Sequence, residues 1–137
     1  MSQPLIGNDA TSAKNPNMLG ESNHLMTRAE FLQHLVLDKI CDDFENVDQV
    51  ILREVAEQAS KCGLTVHRPE IVAALQALVE SGLAKAYDLS ATNRDPFSGE
   101  MPGMPSLDVV EEYFRTYFYV TEKGMEFHES DGTWWPF

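Results

Sequence analysis

Apolar residues recur at steps of three and four through the first two thirds of the chain, then at steps of two in two shorter stretches. The first helical stripe is Phe31, Leu32, Leu35, Val36, Ile40 and Phe44, which directs one face at a core. Thr27 to Glu30 ahead of it matches a capping box: the Thr27 hydroxyl accepts from the Glu30 N–H and the Glu30 carboxylate reaches back. This helix is expected to end near Asp42 and Asp43. Asn46 with Gln49 three residues on signals a second N-terminus, and Val47, Val50, Ile51, Val55, Ala59 and Cys62 form its stripe until Gly63 offers a left-handed end. Pro69 opens a third helix, where a missing N–H costs nothing. Ile71, Val72, Leu75, Leu78 and Val79 form its apolar side, and Gly82 closes it.

Leu83 to Leu89 and Tyr113 to Val120 alternate with period two, and aromatic and β-branched types dominate the second run. Both read as strands of a hairpin. The stretch between them, residues 90 to 112, contains Pro96, Gly99, Pro102, Gly103 and Pro105; it is long for a hairpin loop, so a mobile or specialised segment is expected. Thr121 caps a closing helical turn from Glu122 to Glu129. Residues 1 to 25 are rich in Ser, Asn, Gly, Pro and Thr and show no period, which predicts a flexible leader ahead of a single domain over 26–137. At the other end Trp134, Trp135 and Phe137 are too apolar to stand in water without a docking surface.

Two stretches carry a family resemblance. Leu75-Gln76-Ala77-Leu78-Val79-Glu80-Ser81-Gly82-Leu83 is similar to the passage from third helix to first wing strand in winged helix-turn-helix domains. Tyr117-Phe118-Tyr119-Val120-Thr121-Glu122-Lys123-Gly124 is similar to their second wing strand running into a terminal helix. The resemblance covers roughly residues 27 to 130 and implies an α+β fold: a three-helix bundle, a two-stranded wing with a long loop, and a short C-terminal helix. In DNA-binding members it further implies that the third helix enters the major groove while the wing touches the backbone or minor groove.

Charge separates this chain from that use. Its 137 residues carry 22 acidic and 10 basic side chains, a formal net charge of -12, which opposes approach to phosphate or anionic lipid. On a helical wheel Glu70, Ala73, Gln76, Ala77 and Glu80 face outward from the third helix, with no cation among them. From residue 91 onward Arg94, Arg115 and Lys123 face nine acidic residues. The DNA-binding alternative would therefore rest on Arg68, Gln76, Lys85 and Arg94. The small Ala73 and Ala77 instead admit another helix, and the terminal aromatics resemble interface anchors. The leading expectation is a regulatory module acting through protein contacts, a homodimer among them. The partner-binding set is Glu70, Ala73, Gln76, Ala77, Glu80, Trp134, Trp135 and Phe137.

The remaining chemistry is sparse. His34, Asp38 and Cys41 fall at i, i+4 and i+7, a line that could bind metal or activate a thiolate; a solvated His34 and Asp38 pair beside a core thiol accounts for it more simply. Cys41 and Cys62 lack the spacing of a zinc set and read as core thiols. His67 beside Arg68 could grip phosphate but reads as a helix-start residue. Asp42, Asp43, Glu45 and Asp48 lack the glycine and spacing of a calcium loop and read as a solvated turn. Phosphate-binding glycine loops and a nucleophile elbow are absent. No enzyme activity, cofactor or metal is expected. The opening residues lack a secretory signal and the longest apolar stretch, Ile71 to Val79, is too short to span a bilayer, which predicts a soluble cytoplasmic protein. A ligand sensor, with Phe97, Met101 and Met104 covering an apolar pocket, is a third possibility.

Overall fold

The computed structural model describes residues 26–90 and 95–130. The expected leader, Arg94, and the aromatics Trp134, Trp135 and Phe137 lie outside them. Helix α1 spans Arg28–Ile40 and starts as its capping box dictates. Thr27 Oγ1 accepts from the Glu30 N–H at 3.1 Å, and Glu30 accepts from the Thr27 N–H at 2.9 Å. It stops earlier than the apolar spacing suggests, because the Asp43 carboxylate takes the Phe44 N–H at 2.7 Å, a local bond that competes with another helical turn. Phe44 thereby leaves the helical stripe. A strand that the pattern does not announce follows, β1 (Glu45–Asn46), since two residues are too few to display alternation.

Asn46 ends this strand and caps the next helix, its Oδ1 accepting from the N–H groups of Asp48 and Gln49 at 2.8 and 3.0 Å. The opening turn, Val47–Ile51, is π-helical and leads directly into α2 (Leu52–Lys61). Helix α3 (Arg68–Glu80) has His67 as its N-cap residue, with Glu70 accepting from the His67 N–H at 3.0 Å. Its left-handed exit at Gly82 (φ +79) lets the Leu83 N–H reach the Leu78 carbonyl at 2.9 Å. The helices meet over Phe31, Leu35, Ile40, Ile51, Val55, Ile71, Leu75 and Leu78, all buried.

The sheet closes this core. Strands β2 (Ala84–Asp88) and β3 (Thr116–Val120) pair antiparallel with Ala86 opposite Phe118 and Ala84 opposite Val120. These four side chains point inward, small against large, while Lys85, Tyr87, Tyr117 and Tyr119 occupy the outer face. The other side of β3 pairs with β1, Glu45 opposite Phe118 and Asn46 opposite Tyr117. The expected two-stranded wing is thus corrected to a three-stranded antiparallel sheet ordered β1-β3-β2, in an α+β fold with four helices. Strand β3 begins at Thr116 rather than Tyr113 because Phe114 takes φ +51, a left-handed conformation that interrupts the pleat.

From residue 95 onward the long connection between β2 and β3 folds back on the body. Asp95 caps a 3-10 turn, Pro96–Gly99. Glu100 then bridges to Tyr87 and the Met101 N–H donates to the Ala86 carbonyl at 2.9 Å, which covers the outer edge of β2. Phe97 and Phe44 lie over the outer face of the sheet. Phe44 stacks on Tyr119 at 4.4 Å between ring centroids, and Phe97 meets Tyr87 and Tyr119 edge-on at 5.9 and 6.0 Å. Farther along, Leu107 is buried in the main core.

Helix α4 (Glu122–Ser130) starts where Thr121 Oγ1 accepts from the Gly124 N–H at 3.0 Å. A Cβ at position 124 would collide with the Leu83 carbonyl and the Val120 side chain, so only glycine permits this approach. The helix lies against α1: His34 stacks on Phe127 at 5.4 Å, and His128 Nε2 is 2.9 Å from Asp38 Oδ1. Helix α4 thus supplies Asp38 with an imidazole from across the bundle. Among the described residues no helix is long and apolar enough to cross a membrane.

Candidate functional site

The most connected group of polar side chains lies where the long connection passes the N-termini of α2 and α3. Arg68, in the first turn of α3, turns its guanidinium inward. Nε and Nη2 reach the two Asp48 oxygens at 2.6 and 3.1 Å, while Nη1 and Nη2 donate to the carbonyls of Leu107 and Val109. Asp48 Oδ2 also accepts from the Glu111 N–H at 2.9 Å. The Glu111 carboxylate in turn takes the N–H and hydroxyl of Thr116 and one N–H of the Asn46 amide. Asn46 is wholly buried. Its second amide hydrogen goes to the Thr116 carbonyl at 2.9 Å, so with the two capping bonds its carboxamide uses both donors and both acceptor sites.

This clasp ties residues 107, 109, 111 and 116 to the bundle. The side chains of Asp48 and Arg68 are only 3% and 17% exposed, so their attraction acts with little solvent screening. Burial alone pushes the Asp48 carboxyl up, but the hydrogen bonds from Arg68 and the Glu111 N–H, with the Arg68 charge, outweigh it and hold the group below its ordinary value. Asp48 is therefore committed to Arg68 and is withdrawn from the acidic run of Asp42, Asp43 and Glu45. Among the described residues no group of three His, Cys, Asp or Glu side chains is placed to hold a metal ion.

The same accounting applies to the other cations. Arg28 pairs with Glu70 at 2.8 Å, and its guanidinium lowers the Glu70 carboxyl from the usual range, helped by the His67 N–H. Lys85 meets Glu100 at 2.6 Å, Arg115 meets Asp88 at 2.9 Å, and Lys123 donates to the Ser81 carbonyl at 2.9 Å. Of the alternative DNA-contacting set, Arg68 is thus turned into the clasp, Lys85 is paired, Gln76 donates to Glu80 at 3.0 Å, and Arg94 lies outside the described residues.

The outward face of α3 is as the wheel placed it, with Ala73, Gln76 and Glu80 exposed and Glu70 and Ala77 half-buried. Between this face and α1 runs a groove of about 340 Å³, lined by Ala29, Leu32, Ala73 and Ala74 under the Arg28 and Glu70 pair. Trp134, Trp135 and Phe137, assigned to the same partner surface, lie outside the described residues. A second surface went unnoticed in the sequence. Val109, Val110 and Tyr113 are 76%, 65% and 78% exposed, on the segment that the clasp holds. The pair Val109-Val110 inside a Pro- and Gly-rich loop is the signal that could have found it. Nothing in the local sequence separates Glu111, which works inward, from its exposed neighbour Glu112.

Both thiols are held toward their protonated form. Burial, with the charges of Asp38, Asp42 and Glu129, pushes Cys41 up to about 11, and burial raises Cys62 as well. Of the residues considered as a lid, Met101 and Met104 pack against the core, and Met101 also lines a pocket of about 160 Å³ with Val79, Ala84 and Ala86. Comparison with protein-family models, with curated proteins and with solved structures finds no match for this chain.

Asn46→Asp tests the clasp. It keeps the capping oxygen but replaces a buried donor with an oxygen facing Glu111 and the Thr116 carbonyl. The expected loss at pH 7 is about 2–4 kcal/mol in urea unfolding. Because the folded Asp48 value is depressed, its contribution to stability is complete above about pH 4 and disappears as pH falls through that lower value. Arg68→Met should flatten this acid-side slope; an unchanged slope would assign it to other carboxylates.

Proposed function

We propose that this chain is a non-enzymatic winged-helix module that regulates through protein contacts rather than by gripping DNA. The order of three helices, antiparallel hairpin and closing helix agrees with the resemblance. One observation carries the functional half: the cations nearest the α3 face are turned inward or paired, and the face itself presents Ala73, Gln76 and Glu80. A duplex brought to that face would meet carboxylates and an amide, with few counterions to release. The outer face and edge of the wing are also occupied, by Phe44, Phe97 and the strand-like Glu100 and Met101, which leaves little of it to enter a minor groove.

Self-association through the α1 and α3 groove belongs to the same proposal. Ala29, Ala73 and Ala74 allow close helix approach, and the Arg28 and Glu70 pair on the rim neutralises itself, so a second copy is not repelled there despite the net charge.

Fluorescence anisotropy with labelled duplex fragments checks the first claim. No saturable binding is expected up to about 10 µM protein at near-cellular salt; nanomolar capture with a steep salt dependence would restore the DNA-binding reading through Arg68, Gln76, Lys85 and Arg94. For the second claim, light scattering should give a dimer mass for the full chain and a monomer mass for Ala73→Glu with unchanged circular dichroism. A full chain that stays monomeric at about 100 µM removes self-association from the account.

A further inference from the structure

We infer that the segment Asp108 to Tyr113 is a preformed docking knuckle for a basic, apolar-bearing protein segment; this rests on the protein-contact reading above and names its partner class. Three large apolar side chains, Val109, Val110 and Tyr113, project into solvent from six consecutive residues. Isolated exposed valines are ordinary, but a cluster of this kind marks an interaction site.

Looseness does not explain the exposure. The Val109 carbonyl accepts from Arg68 at 2.8 Å, the Glu111 N–H donates to Asp48 at 2.9 Å, and Glu111 is bound through its carboxylate to Asn46 and Thr116. The backbone is therefore fixed on both sides of Val110. Just beyond, Phe114 adopts φ +51, a conformation that a phenylalanine keeps only where its surroundings determine it. The apolar side chains are held outward by a polar network that points inward. Ordering entropy, normally a cost of binding, has already been met in folding.

Charge selects the partner. Residues 100 to 114 contain no Lys or Arg. Asp108 precedes the apolar triplet and Glu112 lies within it, both exposed, whereas Glu111 is committed to the clasp. The cations bordering the segment are Arg115, two residues beyond Tyr113 and paired with Asp88, and Arg68, inside the clasp. The knuckle is therefore an apolar centre with exposed carboxylates and no cation of its own. A second copy would bring the same carboxylates face to face and is disfavoured at this surface. The complementary occupant is a protein segment that places one or two aliphatic or aromatic side chains between lysines or arginines.

The experiment is panning of a displayed library of random peptides, about twelve residues long, against the immobilised full chain, with Val110→Ser and Tyr113→Ser as counter-targets. Both positions are solvent-facing, so circular dichroism and the urea midpoint of the variants should match the parent. Enriched peptides are expected to combine apolar residues with Lys or Arg, to weaken severalfold from low to high salt, and to lose about tenfold or more in affinity on either variant. Enrichment of acidic or charge-indifferent peptides, equal binding to the variants, or no enrichment at all overturns the knuckle. Peptides lost on Ala73→Glu but indifferent to Val110 and Tyr113 overturn it while leaving the protein-contact reading intact, and the duplex titration judges that reading separately.

Discussion

A buried aspartate, held ionised by its arginine, ties the long β2–β3 connection to the helical bundle. Asp48 belongs to the π-helical turn that leads into α2, Arg68 to the first turn of α3, and both hold the backbone of a connection more than twenty residues away in sequence. Removing either charge would strand the other in a poorly hydrated site, the situation in which ion pairs matter most. Asn46 and Glu111 complete the arrangement by satisfying each other and Thr116. Every polar group has a reason to be where it is, and such fully connected networks favour one conformation over its competitors.

From that constraint the rest follows in order. Because Leu107 and Val109 are fixed beside α3, the connection cannot extend away from the sheet as a free arm. Its first half instead lies along β2 through Met101 and over the aromatic face through Phe97. The arginine best placed to touch a ligand at the start of α3 is consumed in the process. At the start of α3 the guanidinium of Arg68 therefore faces inward, while Lys85 and Arg115 stay at the surface in pairs with Glu100 and Asp88. Under the reading proposed above, surface chemistry rather than element order decides what the fold binds.

The helices were legible because their signals are local. The Thr27 and Glu30 box, the Asn46 cap, Pro69 and Gly82 each act within a few residues, and the stripes of Leu35, Ile71 and Leu75 state which side is inside. The short strand β1 was not legible, since pairing of Glu45 with Phe118 joins residues far apart and leaves no period to read. The end of α1 was legible to within about two residues from Asp42-Asp43, although Phe44 beyond it continued the spacing and was counted in the stripe. The clasp was hidden for a different reason. Asp48 and Glu111 each look like members of solvated acidic runs, and only the fold tells them apart from Asp42 and Glu112. The knuckle was concealed by the alternation of Tyr113 to Val120, which suggested strand where Phe114 imposes a left-handed turn.

Amide hydrogen exchange read residue by residue tests most directly whether the clasp fixes the connection. If it does, the amides of Glu111 and Thr116, which donate to the carboxylates of Asp48 and Glu111, exchange as slowly as that of Phe118 in the middle of the sheet. Exchange of both at the rate of an open loop, beside a slow Phe118, would contradict the account: the connection would then be free, and neither the inward turn of Arg68 nor the outward apolar triplet would have the cause assigned to it.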